Sequence, residues 1–129
     1  MMNPIQEVAY VLSNDEKLRE YVSDNQIYLI YIPVDDQTIE NAPLIRINEL
    51  ESFPDNYRDD TAYSISVDIQ IDTWAKTLKE TQEVQAIIDR AMANADYKQY
   101  ASDLMKDPDI ELYKYSRRYR ATKKIQINY

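Results

Sequence analysis

Glycine, histidine and cysteine are all missing from this 129-residue chain, and each absence closes off a class of chemistry. Without glycine there is no phosphate-cradling loop of the Walker or dinucleotide type, because those turns need backbone at positive φ and close approach to a phosphate. Without histidine or cysteine there is no imidazole base, no thiolate nucleophile and no ordinary zinc or iron site. No apolar run approaches the roughly 18 residues that cross a bilayer, so no membrane partner is expected. The opening Met1-Met2-Asn3-Pro4 lacks the basic flank and apolar stretch of a secretory signal, which makes the cytosol the expected compartment. The lack of cysteine agrees with that.

What is present points to one domain spanning residues 1–129. Hydrophobic residues make up 44% and charged residues 29%, enough for a core and too apolar for wholesale disorder. The net charge of −8 is unevenly placed. Leu112 to Tyr129 holds six basic residues (Lys114, Arg117, Arg118, Arg120, Lys123, Lys124) and no acid, whereas residues 1–111 hold nine basic and 23 acidic residues, a balance of −14. Three roles stay open for this basic end: pairing with acidic surface of its own fold, docking on a neighbouring copy through complementary potential, or contact with a nucleic-acid backbone.

Along the chain, Asn3-Pro4 is a cap and first-turn pair, followed by Ile5, Val8, Ala9 and Leu12 at helical spacing. Ser13 with Glu16 offers a second start before Leu18, Tyr21 and Val22, giving one bent helix or two short ones closed at Asp24-Asn25. Ile27 to Ile32 is a continuous β-favouring run ending at Pro33, the pattern of a strand covered on both faces. Leu44 to Leu50 forms a second strand, and Glu51 to Asp60, with the turn signal Pro54-Asp55-Asn56, a long projecting hairpin loop. Tyr63, Ile65, Val67, Ile69 and Ile71 then alternate with Ser64, Ser66, Asp68, Gln70 and Asp72, which puts the second set toward water or a partner. Thr77 and Glu80 cap a helix carrying Val84, Ile87, Ile88, Ala91 and Met92. Asn94 to Asp109 reads as irregular or partly helical. From Ile110, Tyr113, Tyr115, Arg117 and Tyr119 share one face of a last strand while Lys114, Arg118 and Arg120 point the other way; Ile125 to Tyr129 extends or follows it. The fold class is α+β: a mainly antiparallel sheet of about four strands, helices packed on one face, and a long projecting β-hairpin.

Chemistry is sparse. Asp68 and Asp72, with Asp59 and Asp60, are the best oxygen cluster for a divalent cation, but alternating surface acids do not converge as hard cations require, so no metal site is expected. Twenty-three acids guarantee accidental carboxylate pairs with no sign of a pocket to perturb one, and no enzymatic role, catalytic residue or cofactor follows. The run Lys114 to Arg120 interleaves cations with aromatics, as single-strand binding surfaces do, although a pI near 4.5 opposes phosphate binding. Twelve tyrosines against one Phe and one Trp favour protein interfaces, where a large, partly wettable ring is useful.

The opening amphipathic helix, Ile27 to Ile32 with Pro33, the Pro43-Leu44-Ile45-Arg46-Ile47 strand, and the strand Val67 to Ala75 running through Trp74 into the helix from Thr77 to Ala93 together resemble the tail completion, or tail terminator, proteins of long-tailed bacteriophages. The resemblance spans most of the chain. It implies a structural protein of the virion, assembled in the host cytoplasm, that forms a homo-oligomeric ring, of six copies, on the head-proximal end of the tail. Its implied partners are further copies of itself, the tail tube protein and the head completion or connector protein, without cofactor, catalysis or specific nucleic-acid recognition. On that basis Phe53 and Tyr57 are candidates for contact with the tube, and Arg117, Arg118 and Arg120 for contact with the acidic body of the next subunit. A rival reading from another class is a nucleic-acid-binding accessory protein, monomeric or oligomeric, that uses the basic C-terminal strand.

Overall fold

The computed structural model describes the backbone of residues 3–58 and 61–124, and the side chains of these except 51–63 and 124. Asp59 and Asp60, counted above as possible cation ligands, and the stretch Ile125 to Tyr129 lie outside the described residues. Helix α1 (Pro4–Ser13) is capped by Asn3, whose side chain accepts from Ile5 N at 2.9 Å while Gln6 closes back on the Asn3 amide. In place of a bent helix or a second α-helix, α1 is followed by a 3-10 turn, Leu18–Glu20, which Asp15, and not Ser13, starts by accepting from Leu18 N at 2.9 Å.

Five strands form one sheet in the order β1-β2-β3-β5-β4: β1 (Ile27–Leu29), β2 (Leu44–Arg58), β3 (Thr61–Ala75), β4 (Lys98–Asp107) and β5 (Leu112–Lys124). Only the β1–β2 pairing is parallel. Helix α2 (Leu78–Asn94), capped by the Thr77 hydroxyl on Glu80 N, lies with α1 on one face. Their apolar stripes, Ile5, Val8 and Leu12 with Val84, Ile88 and Met92, meet Ile45, Ile47, Ile69, Ile71 and Tyr119 of the sheet in the main core. Thus the fold is α+β with helices on one side, as its alternation and helical periods require.

Four local expectations are corrected. The run Ile27 to Ile32 is not a strand covered on both faces; β1 is a three-residue edge strand, ended by Ile30 at φ 73°, and Tyr31 is exposed. Residues 51–58, read as loop, continue β2, with Pro54 opposite Ile65 and Arg58 opposite Thr61. There β2 has β3 as its one neighbour among the described residues, and proline is tolerated on such an edge. A bulge at Leu50, where the register steps between Glu49 and Glu51, breaks the regular alternation of β2, and Leu44 is buried with Trp74 on the face away from the helices. Residues 98–107, read as irregular or partly helical, form β4, a fifth strand. It is exposed almost throughout, so no period-two burial marks its sequence and pairing with β5 alone defines it.

The fourth correction concerns chain reversal without glycine. Asn25 lies in a 3-10 turn, Asp24–Gln26, and the left-handed positions fall instead on Ile30, Asp96 and Glu111. At Asp96 the geometry is a full helix stop: Tyr97 N bonds Met92 O at 2.9 Å and Asp96 N bonds Ala93 O at 3.1 Å, while Tyr97 and Met92 pack in the core.

Candidate functional site

The helices cover one face of the sheet; on the other, Ile32, Leu44, Trp74 and Leu112 form a small buried apolar cluster, and beyond it the side chains of β3 and β5 at alternate positions build a polar surface. Across it run rows of opposite charge. Arg46 on β2 places Nε and Nη2 on Asp72 Oδ2 at 3.2 and 2.7 Å, and Gln70 Nε2 reaches the other oxygen at 3.0 Å. Arg120 on β5 grips Asp68 with two bonds, and the Tyr100 hydroxyl of β4 donates to the same carboxylate at 3.0 Å. Between these rows Arg118 Nε meets Gln70 Oε1 at 3.1 Å. At one end the Arg46 guanidinium and the Lys114 ammonium each lie 5.1 Å from the centroid of the Trp74 ring, whose Nε1–H donates to Asp107 at 3.0 Å.

Asp68 and Asp72 therefore do not face water, contrary to the alternation reading: both are buried, Asp72 fully. The long Arg side chains of the flanking strands fold over the central strand and remove the carboxylates from solvent while satisfying them. The double hydrogen bond from Arg120 holds Asp68 below the usual carboxylate range against the opposing effect of burial, with Tyr100 assisting, and Asp68 in turn keeps Arg120 firmly protonated. No group of three or more acids converges to hold a cation among the described residues.

The three arginines singled out from the sequence divide between the faces. Arg118 and Arg120 lie exposed on the open face, whereas Arg117 turns to the helix side and pairs with Asp89 of α2. Asp89 also accepts from the Tyr119 hydroxyl, which receives Gln85 Nε2 at 2.9 Å. Burial, then the bond to Asp89, raises the Tyr119 phenol far above its ordinary range. Phe53 and Tyr57 stand on the outer part of β2, opposite Ser66 and Ala62, and their side chains are outside the described set. Among the described residues β5 accompanies β3 from Ser64 inward, and β2 and β3 pair with each other out to Arg58 and Thr61.

One chain of a solved virion of the native gene transfer agent (GTA) particle superposes with a TM-score of 0.66, at 12% identity, over 96% of this chain and 100% of that one. The fold is one that a virion particle uses. At such identity the likeness is one of architecture. The solved structure of bacteriophage SPP1 gp17 protein also matches, with a TM-score of 0.48 and 16% identity over 96% of this chain and 89% of that one. No protein-family model matches the sequence, and comparison with curated proteins gives no match.

Sequence reasoning missed the acids that hold the arginines: Asp68 for Arg120 and Asp89 for Arg117 of the basic strand, and Asp72 for Arg46 of β2. A signal was available: Asp68 and Asp72, four residues apart, share one face of a strand expected to sit near one with cations in the same alternation. It also missed Ile30, Tyr31 and Val34, which are 61%, 67% and 81% exposed. An apolar run gives no hint that its backbone turns over and leaves half of it outside.

Proposed function

We propose that this protein is a structural component of a phage-type virion that assembles into a ring, of six copies, closing the head-proximal end of the tail tube and joining it to the head. The observation that carries the reading is the end-to-end match of fold with a chain of the gene transfer agent virion, the whole of that chain and nearly the whole of this one. Its partners are then further copies of itself, the tube protein and a head completion or connector protein, and its place is the head-tail junction of a particle built in the host cytoplasm. It acts by shape, without catalysis or cofactor.

Within this reading the outer hairpin, through Phe53 and Tyr57, reaches the adjoining ring of the tube; both residues stand on the long β2–β3 pairing far from the helices. Arg118 and Arg120, exposed on the open face, meet acidic surface of the next subunit; Arg117, tied to Asp89, contributes from the other face. Electron micrographs of purified protein, alone and mixed with tail tubes lacking their end cap, are expected to show closed rings and capped tubes. A monomer at every concentration that also leaves the tubes uncapped sinks the proposal.

A further inference from the structure

The sheet has two open edges, and they are unlike. On one side the three-residue β1 leads into a segment with Ile30, Tyr31 and Val34 standing out into solvent. Ile30 is a β-branched residue at φ 73°, a conformation that costs about 1–2 kcal/mol and that few sequences tolerate. Its amide is nonetheless held on Ile47 O at 2.9 Å, so the backbone is pinned while the side chain stands in water. Strain that a fold maintains without gaining burial in return is characteristic of a contact site.

On the opposite side, β4 offers ten residues of edge with one neighbour, β5. Strand edges of this length invite pairing with another chain. Leu104 and Met105 are successive residues and so point to opposite faces, yet both are exposed. A partner lying along the edge covers the two at once; a partner on either face covers one. The charges also differ. Between Ile27 and Pro43 there are three carboxylates, Asp35, Asp36 and Glu40, and no cation. The β4 edge sets Lys98 and Lys106 on either side of its apolar pair, with Asp103 between them and Asp107 already engaged by Trp74.

We infer that the Ile30–Val34 segment of one copy docks along the β4 edge of the next, the apolar side chains meeting Leu104 and Met105 and the acids of 35–40 meeting Lys98 and Lys106. The contact joins two different patches of one subunit, so it is heterologous, the kind of contact that builds a ring when the rotation between copies closes. This rests on the assembly reading above and names its lateral contact.

The experiment uses two full-length variants, Tyr31→Asp and Met105→Asp, each at an exposed position so that the fold is kept, which far-UV circular dichroism and melting verify. Sedimentation of wild type gives the ring; each variant alone sediments as a monomer. Mixed in equal amounts they give a species of twice the monomer mass and nothing larger, because each supplies the intact edge that the other lacks. A ring persisting in either variant, or a mixture that stays monomeric, overturns the edge contact while leaving ring formation intact. Wild type that neither assembles nor caps tubes overturns the ring itself. Because the chain has no native cysteine, oxidising the Tyr31→Cys, Met105→Cys double variant provides an independent check: a ladder of covalent multimers supports the contact, and dimers in either single variant contradict it.

Discussion

Asp68 and Arg120 are 52 residues apart, yet they lie opposite one another on neighbouring strands and share two hydrogen bonds of 2.7 and 2.9 Å. The pair joins the central strand to the strand that carries most of the basic charge. Its carboxylate is held below the ordinary value of 3.8 by Arg120, so the stabilisation it contributes is fully present above about pH 4 and is lost as pH falls through the lowered value. Asp68→Asn is expected to flatten the acid limb of the stability profile relative to wild type. Urea melts between pH 2 and 7 measure this, and parallel profiles for the two proteins would refute it.

Asp89 ties α2 to β5 through Arg117 and Tyr119. Asp89→Ala strands a partly buried guanidinium and a buried hydroxyl, and is expected to cost about 1–3 kcal/mol, read as a lower urea midpoint at unchanged slope. Asp89→Asn, which keeps an acceptor, recovers part of the loss.

Two buried tyrosines make opposite predictions for the same substitution. The Tyr97 hydroxyl has no hydrogen-bond partner among the described residues, and burial, reinforced by Glu7 and Glu49, pushes its ionisation up to about 12. Tyr97→Phe removes an unsatisfied group and is expected to leave stability unchanged or raise it by up to about 1 kcal/mol, whereas Tyr119→Phe loses two partners and costs about 1–2 kcal/mol. In wild type the raised Tyr97 value means stability is intact below pH 10 and declines from there toward pH 12; Tyr97→Phe removes that share of the alkaline loss. Thermal melts from pH 8 to 12 on the three proteins test both statements.

The outer hairpin lies away from the helix-backed core, so Phe53→Ala with Tyr57→Ala is expected to change the melting temperature of the monomer little and to leave ring formation intact. Capping of tail tubes by such rings is expected to fall at least tenfold in a sedimentation binding assay. Full capping by the double variant would remove the hairpin from the contact.

Much of the fold was legible because burial leaves a period. The stripes Ile5, Val8, Leu12 and Val84, Ile88, Met92 announced the two helices, and Val67, Ile69 and Ile71 the central strand, since each element has one wet and one dry side. Strand β4 was not legible for the same reason reversed: with both faces exposed it has no period, and β5 makes it a strand. The candidate site was half legible. Alternation placed Arg118 and Arg120 on one face and Arg117 on the other, as found, but it sent Asp68 and Asp72 to solvent because it cannot know that arginines two strands wide fold over them.

By itself the amino-acid sequence determined the two helices and the central strand, how they face a core, and the absence of imidazole, thiolate and glycine-loop chemistry from this chain. Local spacing suffices for these, because caps and amphipathic periods act over a few residues. Tertiary structure alone decided that Arg117 and Arg120 of the basic strand are taken up by Asp89 and Asp68 of its own fold, that Tyr97 and Tyr119 have such different surroundings, and that two unlike edges remain open. Each depends on strand order and register, which contacts between residues far apart in the chain select together, and which no local window of sequence contains.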